Sequence, residues 1–319
     1  MKLIVQIPCF NEANYLPLTL KDIPKDIEGI DKIEILVIDD GSSDNTADVA
    51  KKNGVHHVVS FKKHRGLAAA FSAGLEACLL NGADIIVNTD ADNQYNGADI
   101  PKLISPILKG EADIVIGDRQ TQNVPHFSWV KKKLQKWGSS LVRLLSKTDI
   151  PDAPSGFRAI SREAAFKLNI LTDFSYTLET LIQAGTIGLA VKSVPIRTNE
   201  KTRDSRLFTN MFSFLKHSGS TVLRAYTMHK PLKIFLIFSV IFFIPGFILG
   251  ARFLILFYSG HSGGHIQSLI LSAILLIASF LLAVVAILSD LIASNRKLIE
   301  ETLRRIRRIE SNQTNNNTN

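Results

Sequence analysis

The chain has 319 residues, enough for one sizeable catalytic domain and accessory segments. A mean hydropathy of +0.15 with 46% hydrophobic residues argues against an entirely soluble chain. The net charge of +8 does not by itself make a nucleic-acid binder, because no zinc-finger or RNP-like aromatic motif accompanies it and the basic residues gather beside two apolar runs.

In chain order, the first two hundred residues alternate strand and helix signals. Short β-rich runs lie at Leu3–Ile7, Ile33–Ile38, Val58–Phe61, Ile85–Val87 and Ile114–Ile116. Helical stretches are predicted between them at Asn14–Leu20, Asp44–Asn53, Leu67–Leu80 and Ile100–Leu108. Gly54 and Gly82 mark helix stops, while Ser42-Ser43-Asp44 and Asp99 before Pro101 mark helix starts. This rhythm predicts an α/β fold, a mostly parallel sheet flanked by helices. Met1 leads straight into a strand, so no secretory signal is expected. Cys9 and Cys78 have no partner motif, and neither a disulfide nor a zinc site is expected.

Beyond Arg119 the rhythm changes to a basic helix at Phe127–Ser146 and an irregular Pro/Gly segment at Asp149–Arg158. A strand at Phe157–Ile160, a helix at Arg162–Leu168 and a strand at Ala190–Ile196 follow. Apolar residues recur at helical spacing from Leu207 to Tyr226, as in an interfacial helix. Leu232 to Tyr258 and Ile266 to Ser289 each exceed the roughly 20 apolar residues that span a bilayer. Lys216, Arg224, Lys230 and Lys233 precede the first run, and Arg296, Lys297, Arg304, Arg305, Arg307 and Arg308 follow the second. The loop between the two runs carries no Lys or Arg. The expectation is an integral membrane protein with two spans, its catalytic domain and both termini cytoplasmic. The expected organisation is a catalytic domain over 1–207, a juxtamembrane helix over 208–231, a transmembrane hairpin over 232–290, a basic helix over 291–310 and a disordered tail over 311–319. The two basic amphipathic helices suit self-association into a homo-oligomer.

Candidate chemistry falls where strands end. Asp90-Ala91-Asp92 follows the buried run Ile85–Val87. Open α/β sheets bind ligands beyond the carboxyl ends of their strands. Two carboxylates one residue apart there suit Mg²⁺ or Mn²⁺, cations that take carboxylate oxygens and bridge to substrate phosphates. Asp39 ends the second strand, a position suited to a base or ribose contact, and Gly41 lets the backbone come close. Ser42 and Asp44 serve equally well as caps of the helix that follows. His64-Arg65-Gly66 opens the next helix, where an N-terminus beside a cation favours phosphate. Neither a Gly-x-Gly-x-x-Gly fingerprint nor a P-loop is present.

Taken together, these residues carry a resemblance. Pro8-x-x-Asn11-Glu12, Asp39-Asp40-Gly41-Ser42-x-Asp44-x-Thr46, Arg65-Gly66, Asp90-Ala91-Asp92-x-Gln94, Gly117-x-Arg119 and Ser155-Gly156-Phe157-Arg158-Ala159 stand in one order over residues 1–207. They resemble glycosyltransferase family 2, in particular its polyprenyl-phosphate glycosyltransferases similar to dolichol-phosphate mannose synthase. The resemblance implies a GT-A fold, a GDP-mannose or UDP-glucose type donor, Mg²⁺ or Mn²⁺, inversion at the anomeric carbon, and a polyprenyl or dolichyl phosphate acceptor. It implies that Pro8, Asn11, Glu12, Asp39, Asp40, Arg65, Gly66, Asp90 and Ala91 bind the nucleotide sugar. Asp90, Asp92 and Gln94 would hold the metal, and Asp92, Arg119, Asp152 and Arg158 would serve catalysis. Asp152 would orient the acceptor or accept a proton. Arg203, Ser205 and Arg206 would meet the acceptor phosphate, Arg206 standing where the family has Lys. Transfer to a glycolipid or saccharide acceptor is the alternative, although Gln135-Lys136-Trp137 does not fit the Gln-x-x-Arg-Trp motif of processive members.

Overall fold

A computed structural model describes residues 1–120, 148–170, 176–199, 227, 231–259 and 266–318. The chain divides into two compact units, one of 1–225 with 302–319 and one of 226–301. The basic helix expected at Phe127–Ser146 and the interfacial helix expected at Leu207–Tyr226 lie outside the described residues, as does the loop 260–265.

The first unit is built on a seven-stranded sheet. Its strands are β1 (Lys2–Cys9), β2 (Lys32–Asp39), β3 (His57–Ser60), β4 (Ile85–Asn88), β5 (Ile114–Asp118), β6 (Arg158–Ser161) and β7 (Val191–Pro195), in the order β3-β2-β1-β4-β6-β5-β7. The β1–β2, β1–β4, β2–β3 and β5–β7 pairs are parallel, and β6 runs antiparallel to both β4 and β5. The helices are α1 (Leu16–Asp22), α2 (Thr46–Lys52), α3 (Leu67–Leu80), α4 (Ile100–Leu108), α5 (Arg162–Lys167) and α6 (Tyr176–Ile187). Helix α1 starts two residues later than the apolar spacing suggests. Pro17 fits only the first turn, where its missing N–H costs nothing.

Strict alternation along the strands supplies a core on each face. Leu3, Val5, Ile7, Ile85 and Val87 pack with Leu16, Leu103 and Ile104 on one side. Ile4, Ile86, Leu36 and Ile38 pack with Phe71, Leu75, Ile182 and Tyr176 on the other. The same alternation points Gln6 and Asn88 into the second core, and they are register partners.

Near the start of β2, Glu34 is 4% exposed and receives Lys2 and Lys32 at 2.8 Å and His57 at 2.7 Å. Burial pushes its carboxyl up, but hydrogen bonds from Lys2, Lys32 and His57 outweigh that and hold it at about 2. A depressed carboxyl stabilises the fold above its unfolded range and loses that contribution as pH falls. Glu34→Gln is therefore expected to cost about 2 kcal/mol at neutral pH, the difference fading between about pH 4 and pH 2. Urea unfolding of both proteins across that range checks the sign.

The second unit contains α7 (Pro231–Tyr258) and the apolar part of α8 (Ile266–Thr318). Both are long and apolar enough to cross a membrane, and their large apolar side chains are mostly exposed. The helices meet at small residues. Ser239 Oγ donates to Ser279 O at 2.9 Å, and Ser272 Oγ donates to Gly246 O at 2.7 Å.

Helix α8 does not stop where a separate basic helix was expected over 291–310 or a disordered tail from 311. It runs on to Thr318, and its last turns belong to the first unit. There Ser311 is fully buried, donating to Leu79 O at 2.7 Å and accepting from Arg162 at 2.9 Å. Arg308 pairs with Glu163, and Arg307 donates to Leu168 O. These anchors lie in distant parts of the chain, which is why local composition failed to reveal them.

Candidate active site

Strand order reverses at β1, whose neighbours are β2 and β4, and the carboxyl ends of these three parallel strands border one crevice. Pro8 lies within β1, opposite Ile38. Asn11 takes φ +55°, and its Oδ1 accepts from Ser43 N at 2.8 Å. Asn11 N donates to Ser42 Oγ, and Glu12 N donates to Thr46 Oγ1, both at 2.9 Å. Ser42 thus ties the exits of β1 and β2 together and does not cap α2. Asp44 does brace the start of that helix, accepting from Thr46 N at 3.0 Å.

Asp39 accepts from Ser42 N at 3.1 Å. Asp40 accepts from Arg65 N at 2.7 Å and Gly66 N at 2.9 Å, and His64 Nδ1 lies 2.9 Å from it. Its carboxylate therefore shapes the turn into α3. Gly41 has φ +69°, and a Cβ there would fall 2.4 Å from the Lys63 backbone. Only glycine lets the two loops come so close.

At the end of β4, Thr19 donates to Ala91 O at 2.9 Å and fixes the backbone between the two aspartates. Gln94 donates to Asp92 through its backbone N at 3.2 Å and its Nε2 at 2.9 Å, orienting that carboxylate. Asp90 is partly buried. Withdrawal of its carboxyl from water, and then the neighbouring Asp92, push its pKa up to about 7 against the pull of Arg119 and Arg158. Two carboxylates that oppose each other's ionisation fit a divalent cation. Among the described residues no group of three or more His, Cys, Asp or Glu side chains gathers to hold a metal. Two carboxylates completed by substrate phosphates match the way Mg²⁺ is usually held.

The floor of the crevice comes from the segment before β6. A Cβ on Gly156 would meet Asp90 Oδ1 at 3.0 Å and the Tyr176 hydroxyl at 3.1 Å. Gly156 N donates to the Tyr95 hydroxyl at 3.0 Å, and Gly156 O accepts from Asn88 Nδ2 at 2.9 Å. Asn88 Nδ2 also donates to the Tyr176 hydroxyl, and Gln6 Nε2 donates to Asn88 Oδ1, each at 2.9 Å. Tyr176 stacks on Phe71 at 3.9 Å and Tyr95 on Phe157 at 5.2 Å. A satisfied buried network of this kind fixes one arrangement of the loop.

Arg119 and Asp152 form a two-pronged pair, Nε to Oδ2 at 2.7 Å and Nη2 to Oδ1 at 2.8 Å, with Asp152 1% exposed. Burial works against the Arg119 charge, but Tyr95 and Asp152 outweigh it and raise its pKa. Both Asp152 oxygens are engaged by this guanidinium. Arg158 is fully buried and gives its guanidinium to Thr180 Oγ1 at 2.6 Å and to the carbonyls of Thr177, Ala153 and Ser155. It braces the 153–156 turn from within the core instead of opening onto the crevice. Arg203, Ser205 and Arg206 lie outside the described residues.

The structure thus brings Asn11, Glu12, Asp39, Asp40, Arg65, Gly66, Asp90, Ala91, Asp92 and Gln94 to the loops at one end of the sheet. Sequence reading missed Gln6, Asn88, Tyr95 and Tyr176. The one local signal for the first two was a polar residue in or beside an apolar strand run, Gln6 within Leu3–Ile7 and Asn88 just after Ile85–Val87.

A family model described as glycosyl transferase family 2 matches residues 4–168. The chain is 28% identical over 211 residues to an undecaprenyl-phosphate mannosyltransferase of Micrococcus luteus, covering 63% of this chain and 85% of that one. It is 30% identical over 220 residues to a UDP-N-acetylglucosamine–dolichyl-phosphate N-acetylglucosaminyltransferase of Methanococcus voltae, covering 60% and 83%. Among solved structures, glucosyl-3-phosphoglycerate synthase from Mycobacterium tuberculosis, with Mn²⁺, UDP and glucosyl-3-phosphoglycerate, superposes with a TM-score of 0.52. That match covers 72% of this chain and 79% of the other at 21% identity, so it speaks to the GT-A fold alone.

Proposed function

The chain belongs to glycosyl transferase family 2, and from that premise we propose that it transfers one sugar from a nucleotide sugar to a polyprenyl phosphate. The observation that carries the reading is the Asp90–Asp92 pair at the β4 end, with the Asp90 carboxyl pushed up to about 7. Relatives named for undecaprenyl-phosphate and dolichyl-phosphate transfer support a lipid phosphate acceptor. Two helices of spanning length support a place for it at the membrane. The donor is a GDP- or UDP-sugar. The catalytic unit and both termini face the cytoplasm, the side that the basic residues flanking the spans favour.

Asp90, together with Asp92 as Gln94 orients it, would hold Mg²⁺ or Mn²⁺. A bound cation supplies neutralisation of the charge that builds on the departing diphosphate. The remaining work belongs to the chain itself. Pro8, Glu12 and Asp39 border the nucleoside, and Arg65 and Gly66 at the start of α3 face its phosphates. An oxygen of the acceptor phosphate forms the new bond to the anomeric carbon as the bond to the diphosphate breaks on the opposite face, inverting the centre. The acceptor is already an anion near neutral pH, so no base is needed. Asp152 fits that economy, because its oxygens are engaged by Arg119 and it orients without taking a proton. Arg119, Arg203, Ser205 and Arg206 supply donors to the phosphates.

The test mixes detergent-solubilised protein, Mg²⁺ or Mn²⁺, a polyprenyl phosphate and a panel of labelled GDP- and UDP-sugars. A labelled lipid product formed with one donor is the expected result. Transfer to a saccharide, with no labelled lipid from any donor, would replace this reading with the glycolipid or saccharide alternative.

A further inference from the structure

The turn after Asp92 is held from outside by a residue far along the chain. Asn93 takes φ +55°, and residues 93–96 carry the backbone from the aspartate pair toward α4. Beyond β7, Tyr95 and Thr198 form an isolated antiparallel bridge. Asn199 then commits its polar groups to this turn. Its backbone N donates to Gln94 O at 2.9 Å, and its Nδ2 donates to Asn93 O and Asp22 Oδ2, each at 3.0 Å. Its Oδ1 accepts from Asn96 Nδ2 at 3.1 Å.

Neighbouring contacts stiffen the arrangement. A Cβ on Gly97 would fall 2.5 Å from Asp22 O, so α1 already presses on the other side of the turn. Arg197 donates to Asp99 from its backbone N at 2.7 Å and its Nη2 at 2.8 Å, anchoring the clamp to the start of α4. Asp99 is fully buried. Gln94, which Asn199 grips by the backbone, is the residue whose amide orients Asp92.

We propose that the Asn199 side chain is a positioning group for the cation-binding turn, holding the turn at Asn93 and Asn96 on either side of Gln94 and so setting Gln94 against the Asp92 carboxylate. The proposal rests on the functional reading above but concerns a residue outside every motif that suggested it. Groups that orient a metal ligand without touching the metal typically contribute 10- to 100-fold to affinity. Asn199→Ala removes the side-chain hydrogen bonds to Asn93, Asp22 and Asn96, with a longer one to Tyr95 O at 3.5 Å, and keeps the backbone bond to Gln94. Binding of Mn²⁺ in the presence of UDP or of GDP is expected to weaken about tenfold, read by titrating free Mn²⁺ with paramagnetic resonance.

Two further variants separate positioning from loss of stability. Glu34→Gln lowers stability from the far end of the sheet and should leave Mn²⁺ affinity unchanged. Asn199→Asp sets two carboxylates against each other at Asp22 and should weaken Mn²⁺ binding more than alanine does. Asp22→Asn in the same chain should recover part of that loss. Unchanged Mn²⁺ affinity in Asn199→Ala, or an equal loss in Glu34→Gln, would overturn the proposal while leaving the functional reading standing. Wild-type protein that binds no Mn²⁺ with either nucleotide would overturn both.

Discussion

Asp92→Asn is expected to lower sugar transfer about a thousandfold while leaving the metal-free fold at least as stable as the wild type. The activity loss follows from removing one of two carboxylates that would hold the cation, since a single lost electrostatic contribution at a reacting centre costs about 10²- to 10³-fold. The stability result follows from the electrostatics of the pair. Burial and the Asp92 charge raise Asp90 to about 7. A carboxyl raised on folding contributes stability that is fully present below its unfolded pKa, about 4. That contribution is lost as pH rises toward about 7. The uncharged amide that Asp92→Asn introduces lets Asp90 ionise more readily and shallows that loss. Urea unfolding in EDTA at pH 5 and pH 8 measures it, alongside the labelled-lipid assay. An Asp92→Asn protein less stable than wild type at pH 8 would show that the Gln94 hydrogen bonds outweigh the repulsion. Activity within tenfold of wild type would remove the carboxylate pair from the mechanism.

Arg119→Met is expected to destabilise the protein by about 3 kcal/mol and to abolish transfer. It leaves the carboxylate of Asp152, 1% exposed, without the guanidinium that engages both its oxygens. Breaking a buried pair from one side costs about 3–5 kcal/mol, and the lower figure applies because the Arg119 side chain keeps 24% of its exposure. Adding Asp152→Asn removes the stranded charge and should restore most of the stability. Transfer should stay absent in the double variant, because Arg119 is assigned to the substrate phosphates. Activity that returns together with stability would reduce Arg119 to a structural partner of Asp152. Thermal unfolding and the lipid assay on the three variants decide between these outcomes.

Much of the catalytic unit was legible in the residues. The helices Leu67–Leu80 and Ile100–Leu108 stand as their apolar spacing indicates, and the sheet strands lie within a few residues of their β-branched runs. The acidic step Asp90-Ala91-Asp92 follows a strand end, as its preceding apolar run implies. These features are local. Periodicity, turn residues and the placement of charge after a strand are written within a dozen or so neighbouring positions. Other local signals pointed to the wrong partner. Asp99 has the sequence position of a helix cap, yet its carboxylate makes no cap bond and goes to Arg197 and Lys102. Arg158 belongs to a motif whose resemblance implied a catalytic role, yet its guanidinium goes to the carbonyls of Ala153, Ser155 and Thr177 and to Thr180 Oγ1.

The order of residues was enough to set the alternation of elements, the acidic step at a strand end and the two apolar segments. Each follows from the chemistry of adjacent residues and from the lengths a strand, a turn or a bilayer demands. What those residues face came from packing across the folded unit. Packing set Gly156 against Asp90, joined Gln6, Asn88, Tyr95 and Tyr176 beneath the site, and brought Asn199 to the turn after Asp92. It also drew Ser311 into the core at the end of α3. The physical reason is separation along the chain. A hydrogen bond between residues 106 or 232 positions apart depends on the packing of the whole unit, which no local window records.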